Sequence, residues 1–186
     1  MSSSPFLSTG AAFAGALRAA DEAAGPQQHP GATLYVVATP IGNLADITLR
    51  ALHLLAHVDC IACEDTRHTQ HLLRAYGIDR PAPGWMAVHQ HNEAEAAARV
   101  IARLQDGERV AYVSDAGTPA VSDPGARLVA AVRAAGLRVV PVPGASSVTA
   151  ALSAAGLAGD AGFVFAGFLP ARATERNQAV QALAAE

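Results

Sequence analysis

From Thr33 onward the chain alternates short apolar runs with longer helical patterns, five times over, and few folds accept that rhythm. The runs Leu34–Ala38, Val58–Ala62, Trp85–Val88, Val110–Val113 and Arg138–Val142 read as strands. Helical patterns follow near Asp46–His57, Thr66–Tyr76, Asn92–Gln105, Asp123–Ala135 and Ser146–Ala155. Gly77, Gly107, Gly136 and Gly156 close four of these patterns at the position where a helix ends left-handed. Asp46, Asn92, Asp123 and Ser146 are the expected N-caps, with Pro124 at a first helical position. The expectation is an α/β fold: a parallel five-stranded sheet flanked by helices on both faces.

Two segments fall outside the rhythm. Residues 1–30 are Ser-rich, then Ala/Gly-rich, and read as a flexible N-terminal tail in preference to a short helix at Ala11–Ala24. Residues 31–158 form the α/β domain. Residues 159–186 read as the start of a second, incomplete domain, with a sixth strand at Phe163–Phe168 and a helix from Thr174.

Composition removes several kinds of chemistry. All thirteen basic residues are arginine, which excludes a P-loop lysine, Schiff-base chemistry and a lysine general base. A net charge of −3 carries no whole-chain signature for DNA or other nucleic acid. No apolar run is long enough for a membrane helix, no secretory signal opens the chain, and a cytoplasmic setting is expected. Cys60 and Cys63 have CxxC spacing but sit in an expected strand, where i and i+3 face opposite sides. His53 and His57 are one helical turn apart, as are His68 and His71 nearly. With no acidic residue spaced to join them, they read as surface or boundary histidines, and no metal site is expected.

The polar residues gather in the loops that leave the carboxyl ends of the strands, where open parallel sheets hold ligands. The loop after the fourth strand, Ser114–Gly125, carries two each of Gly, Pro, Asp and Ser, far more turn chemistry than a strand-to-helix link needs. Gly117 lets a ligand approach its backbone closely.

Taken in order, TPIGNLADIT (Thr39–Thr48), EDTRHT (Glu64–Thr69), SDAGTP (Ser114–Pro119), DPG (Asp123–Gly125) and VPGASS (Val142–Ser147) resemble the ribosomal RNA small subunit methyltransferase I family. That family is a branch of the tetrapyrrole methylase-like superfamily. The resemblance runs from about Leu34 to Pro170. It implies S-adenosyl-L-methionine-dependent methylation of a cytidine ribose 2′-oxygen in 16S ribosomal RNA, two α/β domains, and a homodimer. By position in the motifs, Pro40, Gly42, Asn43, Ser114, Asp115, Ala116, Gly117, Ser146 and Ser147 are implied to hold the cofactor.

A ribose hydroxyl needs its proton taken or shared before it attacks a methyl group. Glu64 and Asp65, then His89, are the candidate proton acceptors. Arg67, His68 and Arg74 are candidates for RNA contact, with a salt bridge to Glu64 or Asp65 as the lesser alternative for Arg67. The resembling proteins continue well past Glu186, so these residues alone are expected to bind cofactor weakly and turn over little. A methylase of corrinoid or porphyrinoid precursors, or an inert module that binds cofactor or RNA, remain the alternatives.

Overall fold

The computed structural model describes residues 13–89, 92–123, 125–156 and 162–183. Its centre is a five-stranded sheet in the order β3-β2-β4-β1-β5. The strands are β1 (Thr33–Val37), β2 (Cys60–Cys63), β3 (Trp85–Ala87), β4 (Arg109–Val113) and β5 (Arg138–Val142), and every pairing is parallel. β1, β2 and all of β4 past Arg109 are buried, which is why they read as unbroken apolar runs rather than alternating ones.

Side-chain alternation divides the core into two layers. Tyr35, Val37, Ile61, Cys63, Ala111 and Val113 face one side of the sheet. They meet the apolar faces of α2 (Leu49–His57) and α3 (Thr66–Ala75), through Leu52, Leu55 and Leu73 among others. Leu34, Val36, Cys60, Ala62, Val110 and Tyr112 face the other side. There they meet α4 (Glu93–Gln105) through Val100 and Leu104, and α5 (Gly125–Ala134) through Leu128 and Val132. Cys60 and Cys63 therefore lie in different layers, both fully buried and both free thiols. The Arg80 guanidinium donates to the carbonyls of Leu55, Ala56 and Val58, satisfying the end of α2 where the helix dipole favours a cation.

Several local expectations are corrected. Residues 14–24 are not a tail: α1 (Ala14–Ala24) packs on α2 and buries Ala20 and Ala24. The first twelve residues lie outside the described part. Asp46 ends a 3₁₀ turn, Leu44–Asp46, and the cap of α2 is Thr48, whose Oγ1 accepts from Ala51 N at 3.1 Å. Asn92 makes no cap bond to α4; its side chain instead accepts from His89 N and donates to Ala87 O. Ser146 sits at the cap position of α6 (Ser147–Ala155) without a side-chain bond. The expected Pro124 start of α5 falls outside the described residues.

Phe163–Phe168 forms no strand. A strand needs a neighbour to pair its backbone with, and this segment has none among the described residues. It is followed by α7 (Ala173–Leu183), which buries no side chain.

Candidate functional site

β1 and β4 are neighbours whose outgoing connections leave toward opposite edges, to β2 and to β5. Their carboxyl ends therefore frame a crevice at a topological switch point. Backbone bonds close its floor: Thr39 N donates to Gly117 O at 2.9 Å, and Gly117 N returns to Thr39 O at 3.1 Å. Gly117 has φ of 83°, and a Cβ there would stand 3.2 Å from Ile41 Cγ2, so any other residue would be strained and would crowd Ile41.

Two further bonds draw the other loops in. Thr118 Oγ1 donates to Ala145 O at 3.0 Å, joining the loops after β4 and β5. The His68 Nε2 lies 3.1 Å from Asp115 O, joining the start of α3 to the loop after β4. The segments beginning at Thr39, Glu64, Ser114 and Pro143 thus share one rim.

Asp123 organises the far end of the β4 loop. Its Oδ1 accepts from Gly125 N at 2.7 Å and from the buried Tyr112 hydroxyl at 3.3 Å, and its Oδ2 accepts from Ala120 N at 2.8 Å. These bonds hold Ala120 in the left-handed region, at φ of 64°, a conformation costly for a residue with a Cβ.

The rim encloses a cleft of about 220 Å³, lined by Glu64, Ser114–Thr118, Asp123, Ser146 and Ser147 and flanked by Phe165 and Phe168. Glu64 is held above the ordinary carboxylate range, first by burial and then by the negative charges of Asp115 and Asp123. None of these three carboxylates joins a salt bridge among the described residues. A second cleft, about 350 Å³, lies on the other side of Asp115 and Ala116, with Pro40, Gly42, Leu44, His68 and His71 in its walls.

The sequence-nominated residues divide accordingly. Glu64, Ser114, Asp115, Ala116, Gly117, Ser146 and Ser147 come together at the first cleft, and Pro40, Gly42 and His68 at the second. Asn43 lies on neither; its Oδ1 caps the 3₁₀ turn through Ala45 N. Asp65 lies on neither and is the N-cap of α3, accepting from Arg67 N and His68 N, which keeps its carboxyl below the usual range. Arg67 is almost fully exposed and stands 3.7 Å from Asp65, the alternative foreseen for it. Arg74 stands 3.7 Å from Asp79. His89 is exposed beyond β3 and lines neither cleft.

Thr39, Thr118, Phe165 and Phe168 were not singled out by sequence. For the two threonines a signal exists, the Thr-Pro dipeptide that recurs at 39–40 and 118–119.

The parallel sheet and its switch-point cleft define a ligand-binding α/β domain, and the chain belongs to the tetrapyrrole (corrin/porphyrin) methylases, whose family model matches residues 33–186. Among curated relatives, it is similar to proteins named ribosomal RNA small subunit methyltransferase I. The Pseudomonas aeruginosa protein is 55% identical over 154 residues, covering 83% of this chain and 53% of the relative. The Escherichia coli O157:H7 protein is 54% identical, covering 82% and 52%. The chain spans about half the length of the curated relatives it matches. Of solved structures, the uroporphyrin-III-C-methyltransferase of Thermus thermophilus aligns with a TM-score of 0.51 at 28% identity, covering 68% of this chain and 53% of that one.

Proposed function

We propose that this chain contributes the first domain of an S-adenosylmethionine-dependent methyltransferase acting on a cytidine ribose 2′-oxygen in 16S ribosomal RNA. The observation that carries the cofactor assignment is the cleft at the β1/β4 switch point, where three carboxylates with no salt bridge among the described residues meet serine hydroxyls and loop backbone. Likeness above one half to relatives named for small-subunit ribosomal RNA supports the substrate.

S-adenosylmethionine, when bound, supplies an electrophilic methyl group on a cationic sulfur. The donor set fits such a molecule. Carboxylates suit its positive charges, hydroxyls and loop backbone suit its amino-acid and ribose portions, and the rings of Phe165 and Phe168 suit the flat face of its aromatic base. Ser114, Ser146 and Ser147, with the backbone of Asp115–Gly117, hold and orient it. Gly117 fixes the fold of that loop through its two backbone bonds to Thr39.

Glu64 is the proton acceptor in this reading. Its raised affinity for protons brings it nearer the range where a general base works at neutral pH. The acceptor ribose enters the first cleft beside Glu64, and the adjoining cleft, walled by Pro40, Gly42 and His68, receives a flanking part of the RNA. Exposed Arg67 and Arg74 meet phosphates along the RNA. Asn43, Asp65 and His89 take no part. The same reading includes a cytoplasmic setting, a homodimer, and residues 159–186 as the opening of a second domain. The strongly exposed Phe163, Val164 and Phe168 support the last point.

Calorimetric titration with S-adenosylmethionine and its demethylated product tests the cofactor. Heat from the wild-type chain that is lost in Asp115→Ala is expected, and no heat from either ligand at millimolar concentration refutes the assignment. Ribose methylation is then mapped in small-subunit RNA from cells lacking the intact gene. Restoration by wild type but not by Glu64→Ala is expected; label arriving on corrinoid precursors instead overturns the substrate.

A further inference from the structure

Far from the clefts, the packing of α1 on α2 builds a cluster that the sequence does not announce. His53 and His57 lie one turn apart on the same face of α2. Asp21, from α1, brings one carboxylate oxygen between them. Its Oδ1 is 2.8 Å from His53 Nδ1 and 2.9 Å from His57 Nε2, and the three ligand atoms all lie within 4.8 Å of one another. The His53 side chain is only 12% exposed, whereas those of Asp21 and His57 are half open to solvent, so the group has one rigid wall and one entry side.

A third imidazole adjoins it. His29 has its ring centroid 4.8 Å from that of His53. Its Nε2 is 2.8 Å from Ala24 O, an acceptor, so Nε2 carries the proton. Its Nδ1 is then a lone pair, buried and without a partner among the described residues. Imidazole-rich, electron-donating surroundings of this kind gather around first-row divalent metals.

We propose that Asp21, His53 and His57 form a zinc-class metal site that fastens α1 to the α/β domain. Two imidazoles one helical turn apart with a carboxylate from a facing element are a donor set that zinc takes readily. In a tetrahedral site the donor atoms stand about 3.3 Å apart, given metal–ligand distances of about 2.0–2.1 Å. The two short contacts to Asp21 need to open by about half an ångström, and the two histidine nitrogens to close. Both imidazoles bind as neutral rings, each presenting a lone pair toward the ion while the ring proton resides on the opposite nitrogen. Water completes the coordination on the open side. The role is structural: none of the three residues lines either cleft.

The test is a titration of the untagged, chelator-treated chain with Co²⁺, read by visible absorption, followed by displacement with Zn²⁺. One equivalent is expected to bind with the absorption of a nitrogen- and oxygen-ligated tetrahedral ion. Asp21→Asn and His57→Gln, both at half-exposed positions, are expected to weaken binding by at least about tenfold while leaving the circular dichroism spectrum unchanged. Zn²⁺ is expected to slow amide exchange in Ala14–Ala24 of the wild type and not of the variants. Failure to bind at millimolar metal, or an affinity that neither substitution changes, overturns the proposal.

Discussion

Glu64 shows how a single side chain can work against its fold. Burial and the charges of Asp115 and Asp123 raise its pKa above the unfolded value of about 4.3. The native state then binds the proton more tightly than the unfolded state. Its contribution to stability is full below the unfolded pKa and is lost as pH rises through the folded one. Glu64→Gln, which keeps an acceptor for the Asp115 N–H but never ionises, is expected to raise the melting temperature at pH 7 and leave it nearly unchanged at pH 4. Differential scanning calorimetry at the two values checks this. An effect of equal size at both pH values contradicts the electrostatic origin. Glu64 was legible as a candidate because acidic residues at a strand's carboxyl end are conspicuous. Its separation from Asp65 was not, since the two adjacent carboxylates differ only in that Asp65 turns back to cap α3.

Elements were legible where their stabilisation is local. Gly77, Gly107, Gly136 and Gly156 all adopt positive φ, as their positions after helical patterns foretold, because only local backbone geometry decides that. The strands lay within two residues of their expected ends because burial writes most of them as unbroken apolar runs. α1 was misread because its stability comes from burying Ala20 and Ala24 on α2, a tertiary contact absent from composition. The sixth strand failed in the opposite sense, apolar sequence without a pairing partner. The start of α5 illustrates how tightly tertiary contact can bind an element. A Cβ at Gly125 would stand 2.1 Å from Tyr112 Cε1 and 2.7 Å from Asp123 Oδ1. Gly125→Ala is expected to destabilise the protein by about 2–3 kcal/mol through overpacking. Urea unfolding should show a lower midpoint at unchanged slope.

At the scale of the whole molecule, the sheet order converts four separate loops into one rim. The loops were recognisable from their residue types; the bonds that unite them were not. Thr39 and Gly117 meet through backbone groups, which every residue carries and no sequence pattern marks. The same sheet places β2 between β3 and β4, with one thiol in each layer of the core. Burial pushes the Cys63 thiol up to about 11 and raises that of Cys60 as well, so neither reacts while the sheet is closed. An aromatic disulfide reagent added to the native chain therefore acts as a stopwatch. Both sulfurs should be consumed in a single phase whose rate matches that of complete unfolding. A fast first equivalent would mean that the second strand peels away while its neighbours stay zipped.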